Sequence, residues 1–418
     1  MIKKREKLDV ALKKLLKAIK HRTGCEIIDT LDSCGRVLAE DVIAKLTIPP
    51  FDRAAMDGYA VKAEDTFGAD ESNPAILKVV GEVETGEEPK VRVESGEAVR
   101  ISTGAMMPEG ANAVVMVEYT NENENLEVYK AVAPGENVSK KGEDFTAGKI
   151  IMKSGNIVQP FDVGYFLSAG VRKLKVAKKV KVAVASTGNE ICDVLSSSEV
   201  AKIPDSNRPN IISCLKSIGC EVIDLGIVKD DVKEMHKAFD KALNCDAIVF
   251  TGATSAGKKD IMPEVIEDYG DLLVHGIAIK PGMPLAFGIV NGKPVFALPG
   301  SPVACLITLK LFVYPAIWKL QNTEVLAYPN EVIKAEVERR IPSNAGTRTF
   351  ARVRLNKDFK VIPVMTSGSG ILSSFSRVHG IVEIPENLEG IEAGEIVEVK
   401  LTRHLVKSDL GDKYEEDF

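Results

Sequence analysis

The sequence predicts a multidomain protein of α/β and β regions, in which a central parallel-sheet α/β unit stands between mostly β segments. Three observations predict this class. The chain has 418 residues, more than one hydrophobic core organises. Apolar strand runs alternate with amphipathic helical runs from 179 to 320, the pattern of crossover connections in a parallel sheet. Three glycine-bearing loops, at 251–260, 279–284 and 298–302, recur at strand ends in that region, where open α/β sheets hold their ligands.

Taken in order, Leu8, Leu12, Leu15 and Ile19 form the apolar face of an N-terminal helix. Composition shifts at Thr47 to a stretch dense in Gly, Val and turn residues, with strands expected at 76–80, 98–102, 113–117 and 126–130. The segment 142–171 resumes an apolar helical pattern through Val163, Phe166 and Leu167, and Gly170 is its stop. Packing of that segment beside the first helix would make the β domain, 48–140, an insertion into a discontinuous N-terminal domain, 1–47 and 141–174. The α/β domain, 175–322, opens with a strand at 180–185. A helix follows, with Asp205, Ser206 and Asn207 as cap candidates, Pro209 in its first turn and Gly219 at its end. A strand at 221–225 leads to a second helix capped near Asp231 with Val232, Met235 and Phe239 inward, then a buried strand at 247–250. Asn291-Gly292 marks a hairpin turn, and 302–320 a long core helix. Strands at 351–355, 361–364 and 396–401 predict a small C-terminal β domain, 323–410, with a polar tail at 411–418.

Composition narrows the function. The formal charge is −6 with dispersed basic residues, so nucleic acid is not the expected partner. No apolar run reaching the ~18 residues of a membrane span is read from the sequence, and the N-terminus lacks a signal peptide's continuous apolar segment. Seven cysteines without a Cys-x-x-Cys pair predict free thiols and a cytoplasmic location, while five histidines without ligand-like spacing argue against a zinc hydrolase. A small-molecule ligand is the expectation.

The loops favour an anion, because Gly252, Gly257, Gly282 and Gly300 let backbone N–H groups approach closely, Ser255 and Ser301 add hydroxyls, and Lys280 adds charge. Each motif also has a plain structural reading. Asp57 before Gly58 suits an Asx turn as well as a ligand role, and Asp144 suits a helix cap as well as a metal. Ser186-Thr-Gly-Asn-Glu190 is either a polar strand-end loop or a phosphate or pterin contact with Glu190 on a metal. Gly252, Gly257 and Lys258 have Walker A spacing, but Lys259 stands where the Mg²⁺-binding Ser or Thr belongs, which disfavours a kinase or NTPase. No Gly-x-Ser-x-Gly elbow occurs, and no Gly-x-Gly-x-x-Gly follows a strand, so a nucleotide-dependent oxidoreductase has little support. Asp57, Asp144, Glu190, Asp230 and Asp260 together would be hard oxygen ligands suited to Mg²⁺ with phosphates.

These motifs, with 100–105, 108–111, 205–207 and 298–303, occur in one order over nearly the whole chain, and in that order the sequence resembles the molybdopterin molybdenumtransferases of the MoeA type, related to the gephyrin E domain. The resemblance implies a four-domain homodimer with a MogA-like central domain and a small C-terminal β-barrel, in which Asp57 and Thr103 of one subunit face the Ser255 loop of the other. It implies that adenylyl-molybdopterin and molybdate, or tungstate, give the metal-loaded cofactor and AMP with Mg²⁺, and that a MogA-type adenylyltransferase is a possible contact. Carried over by motif, Asp57, Asp144, Glu190, Asp230 and Asp260 are the catalytic acids, with Asp57, Glu190, Asp230 and Asp260 on Mg²⁺. Thr103, Thr187, Gly188, Gly252, Ser255, Gly257, Pro299, Gly300 and Ser301 would contact the substrate, and Ser255, Lys280, Arg352 and Ser374 the oxyanion. Three positions depart from the family pattern. Met283 stands where a second lysine is usual, Ala253 where a second Gly is usual, and Asn189 where Asp is common. A non-catalytic molybdopterin-binding or scaffold protein of the same fold is the competing expectation; retention of all five acids favours an enzyme.

Overall fold

The computed structural model describes residues 5–193, 202–252, 261–325, 332–365, 370–371, 373–406 and 410. The chain divides into two compact units, one of Ile27–Cys34 with Glu40–Val176, the other of Met1–Glu26, Gly35–Ala39 and Ala177–Phe418.

Helix α1, Leu8–Ala18, buries the expected face, but that face lies against the α/β core rather than the segment 142–171. Leu8, Ala11, Leu15 and Ile19 share one cluster with Val182, Phe296 and Phe312. Two backbone hydrogen bonds between Glu6 and the strand-like segment at Gly276 and Ala278 hold the helix start there. Periodicity reveals which side of a helix is apolar and is silent about what covers it.

The unit containing Glu40–Val176 is built on a six-stranded sheet ordered Ala113–Met116, Gly58–Val61, Glu97–Ile101, Ala75–Val83, Leu126–Val128, Thr120–Glu122, which holds all four expected strands. Its helix α2, Pro160–Ser168, is shorter than the segment 142–171 and follows a strand at Ile150–Met152. Pro160 and the hydrogen bond from the Gln159 N–H to the Asp162 carboxylate, 2.7 Å, fix the start; Gly170, at φ +79°, ends it.

In the other unit α3 (Asn207–Ser217), α4 (Val232–Ala242), α5 (Ile261–Tyr269) and α6 (Pro302–Leu320) surround β1 (Lys181–Thr187), β2 (Glu221–Val228), β3 (Ala247–Thr251), β4 (Asp271–His275), β6 (Ala286–Val290) and β7 (Lys293–Leu298). A two-residue strand, β5 (Ile279–Lys280), leaves this group for another sheet. The six strands run β2-β1-β3-β7-β6-β4, parallel as far as β7 and antiparallel through β6 and β4. The sheet is therefore mixed where a parallel one was expected. Asn291 and Gly292, at φ 51° and 76°, make a tight primed turn that forces β6 and β7 antiparallel. β3 is buried at every position, as a central parallel strand must be.

Asp231 caps α4 by accepting from the N–H groups of Lys233 and Glu234; Met235 and Phe239 are buried, but Val232 is exposed because the first helical residue lies outside the covered stripe. α6 has the length and apolarity of a membrane span, which corrects the sequence reading, and 78% of its most apolar window is buried in the core. A π turn at Leu309–Val313 interrupts it just before Pro315, whose nitrogen cannot donate to the preceding turn.

The C-terminal strands β8 (Val332–Glu336), β9 (Arg348–Leu355), β10 (Val361–Met365), β11 (Gly380–Ile384) and β12 (Ile396–Leu401) pair in the order β5-β9-β11-β12-β8, with β10 also on β9. A bridge between Val337 and Val361 joins the free edges and closes a small barrel around Val353, Val382 and Val399. β5 runs parallel to β9, with Ile279 opposite Arg348 and Lys280 opposite Thr349.

Candidate functional site

The carboxyl ends of β1, β3 and β7 form a polar floor. Gly252 has φ +102°, and a Cβ there would lie 2.1 Å from the Thr187 carbonyl oxygen, so no side chain fits. Gly300 closes against it, its own Cβ position being 3.2 Å from Gly252 Cα. Asn207, in the first turn of α3, ties the floor together: its Nδ2 donates to Thr251 Oγ1 at 3.1 Å and to the Gly300 carbonyl at 2.8 Å. Thr251 Oγ1 in turn donates to the Pro299 carbonyl at 3.1 Å. Ser186 Oγ, Thr187 Oγ1 and Asn207 Oδ1 are buried without a hydrogen-bond partner among the described residues. Buried polar atoms are normally paired, so three orphans on one floor signal a surface awaiting a polar ligand.

At Ser301, the residue after Gly300, the chain reaches a cavity of ≈ 360 Å³ lined by Arg5, Lys280, Met283, Ser301, Asn344, Thr347 and Arg352 among others. The pairing of β5 with β9 creates it, because that pairing sets Lys280 in the same sheet as Arg352. Arg352 is only 2% exposed, and burial pulls its guanidinium below the ordinary arginine value. Three cations, Arg5, Lys280 and Arg352, with the hydroxyl-bearing Ser301 and Thr347 around one volume suit a small oxyanion.

The predicted acids divide. Asn189 and Asp230 exchange hydrogen bonds, each backbone N–H donating to the other's side chain at 3.3 Å. Burial raises the Asp230 carboxyl above its ordinary value, and the charge of Glu190 raises it further. An Asp at position 189 would add a third carboxylate there, so Asn189 fits its surroundings physically. Asp57 is exposed, and its carboxylate accepts the Thr103 N–H at 2.6 Å, which lowers its pKa and ties down the loop that carries Thr103. That bond reaches a distant loop and is not an Asx turn. Asp144 is exposed and caps no helix, since α2 begins far downstream. Asp57, Thr103 and Asp144 belong to one unit; Thr187, Gly188, Glu190, Asp230, Gly252, Lys280, Pro299, Gly300, Ser301 and Arg352 belong to the other.

Ser255, Gly257 and Asp260, with Ala253, lie outside the described residues. Ser374 falls in the short helix Ser373–Ser376. Among the described residues no three His, Cys, Asp or Glu side chains converge on a metal-sized site. Asn207, Asn344 and Thr347 are among the residues that the sequence reading did not place in the site, as is Arg5. The first had a signal, a polar triplet opening a helix, whereas Asn344 and Thr347 are brought in only by the barrel.

Comparison with known proteins agrees with this geometry. The MoeA N-terminal region (domain I and II) matches residues 6–170, a "Probable molybdopterin binding domain" matches 183–319, and the MoeA C-terminal region (domain IV) matches 334–402. A molybdopterin molybdenumtransferase from Haemophilus influenzae is 32% identical over 96% of this chain and 99% of its own. One of the same name from Staphylococcus epidermidis is 33% identical over 96% of this chain and 97% of its own. A crystal structure of the molybdopterin biosynthesis moeA protein from Pyrococcus horikoshii superposes with a TM-score of 0.81 at 34% identity, covering 95% of this chain and all of that one. Full-length identity at this level, with three matching regions in order, means that the chain belongs to the MoeA family of molybdopterin molybdenumtransferases.

Proposed function

We propose that this chain inserts molybdenum or tungsten into molybdopterin by cleaving adenylyl-molybdopterin in the presence of the metal oxyanion, releasing AMP. The observation that carries the reading is the cavity in which Lys280, Ser301 and Arg352, from three separate chain segments, line one volume. A floor of backbone groups and orphan hydroxyls suits the pterin and phosphates of a bulky substrate, and the cationic cavity suits molybdate as co-substrate. Lys280 acts as a compact point charge and Arg352 as a fixed fork, so the oxyanion is held while the substrate's dithiolene approaches. Met283 stands among these lining residues, so the pocket has one cation fewer than the family pattern offers.

Glu190 and Asp230 fit a divalent cation, because the charge of one raises the pKa of the other and a shared cation relieves that repulsion. Together with Asp260, and with Asp57 from a partner copy, they would hold Mg²⁺, which supplies neutralisation of charge developing on the cleaved phosphoanhydride. Asp57 orders the Thr103 loop for the same encounter. The reading includes a homodimer. Leu31 and Phe161, on elements packed together, are 71% and 77% exposed, a surface that a second copy would cover. Domain limits at 48–140, 175–322 and 323–410 belong to the same reading, as does contact with a MogA-type adenylyltransferase; of the segment 1–47, grouped with 141–174, the first helix packs on the α/β core instead. The seven cysteines, all free, suit a reducing cytoplasm.

The test is to mix purified protein with adenylyl-molybdopterin, Mg²⁺ and either molybdate or tungstate and to follow AMP. Release with one or both is expected. No release with either would leave a binding or scaffold protein of the same fold.

A further inference from the structure

We propose a second anion site, distinct from the Lys280 cavity and going beyond the transfer reaction: the cavity between α3, α6 and the end of the C-terminal barrel takes a phosphate-type oxyanion, free or as the phosphate of a nucleotide. This cavity measures ≈ 490 Å³, and its chemistry is one-sided. Lys310 and Arg403 line it, together with Asn210, Ser213, Ser376 and Thr402 and the less polar Cys214, Leu306 and Phe375, and no carboxylate lines it among the described residues.

Lys310 is the unusual member. It is only partly exposed and has no hydrogen bond or ion pair among the described residues. Two other cations of this unit that are largely withdrawn from water are neutralised. Arg208 bonds Asp205 and Asp224, and Arg348 bonds Asp9 and Glu386. An ammonium withdrawn from water without a counter-charge is costly, and here burial holds it below the ordinary lysine value. The chain positions it deliberately, because Lys310 sits in the π turn of α6, a local irregularity of the kind that re-aims side chains.

The remaining polar groups complete a cradle. Asn210 and Ser213 lie on one face of α3, while Ser376, Thr402 and Arg403 come from the barrel side. Arg403 spends one N–H on the Ser376 carbonyl at 2.6 Å and makes no ion pair among the described residues. Two cations beside the amide of Asn210 and the hydroxyl of Ser213 match a tetrahedral oxyanion, which offers several acceptors at once, while the Thr402 hydroxyl donates to the His379 carbonyl at 3.4 Å. The volume exceeds what phosphate alone fills, which is why a nucleotide monophosphate is included. Because α3 also carries Asn207 in the floor of the first site, an anion here would brace the helix that supports that floor.

The experiment uses the full chain carrying Lys280→Ala, so that the first cavity does not dominate, and titrates it calorimetrically in phosphate-free buffer with inorganic phosphate, AMP, adenosine and chloride. Phosphate or AMP should bind, adenosine and chloride should not, and adding Lys310→Met should weaken binding about tenfold or more. AMP binding much tighter than phosphate assigns the site to a nucleotide, and equal affinities assign it to the free anion. Without anion the Lys310→Met protein should melt no lower than its parent, since it loses only an unpaired charge. Absence of binding by both phosphate and AMP, equal affinity after Lys310→Met, or a lower Tm for that variant would each overturn the proposal. AMP release in the transfer assay does not depend on this outcome.

Discussion

The strand-end floor and the Lys280 cavity take consecutive residues, Gly300 and Ser301, yet they are built by different physics. The floor is neutral and rigid: Gly252 and Gly300 touch, Asn207 stitches two loops, and its free groups are hydroxyls and an amide oxygen. The cavity is charged, and its members come from the α/β chain and the barrel. The contrast teaches that shape is specified in one region by excluding atoms and in the other by holding charge out of water. Substitutions should therefore cost fold in the first region and function in the second.

The largest effect is expected for Gly252→Ala. A Cβ placed 2.1 Å from a carbonyl oxygen, at φ +102°, must displace β1 or β3. Unfolding free energy should fall by about 2–3 kcal/mol, read from denaturant melts, and AMP release should vanish. A stable, active Gly252→Ala protein would break the comparison at its rigid side.

Lys280→Ala should lower kcat/KM for the oxyanion about 100-fold while leaving Tm unchanged, since Lys280 is not a core residue. Arg352→Met sharpens the test. AMP release should drop at least about tenfold while the protein still folds, and a collapse of stability would mean that Arg352 serves the fold instead. Met283→Lys runs the other way, and restoring the missing cation should tighten molybdate or tungstate about three- to tenfold, seen in the oxyanion KM.

The smallest effect concerns Asp57. Its carboxyl pKa is lowered by the Thr103 N–H, so the contribution is present above the ordinary value of 3.8 and is lost as pH falls through the folded value. Amide exchange at Thr103 should be protected at neutral pH and lose that protection only once pH falls below the ordinary carboxyl value of 3.8, and Asp57→Asn should reduce it at all pH values above that.

Much of this was legible in the sequence, for reasons that can be named. Asn291-Gly292 has one comfortable conformation, Asp231 offers an oxygen to two free N–H groups, and β3 is apolar at nearly every position, so local chemistry sufficed. The floor residues could be found because glycines at strand ends are costly unless something must come close. What escaped depends on distant chain. The partner of α1, the antiparallel pairing of β4 with β6, and the presence of Asn344 and Thr347 beside Lys280 follow from tertiary pairing that no local pattern encodes. Val232 and the segment 142–171 were misread because a helical apolar pattern does not say where the first turn begins.

Ile279 and Lys280 belong to the α/β chain by sequence, yet Ala278 accepts a hydrogen bond from Arg348, and these two residues extend the barrel's sheet. The α/β part and the barrel are therefore poor candidates for exchange between proteins by simple cutting and fusing. A barrel transplanted alone would present β9 with an unpaired edge, and an α/β part cut free near 325 would carry a two-residue strand with nothing to pair against.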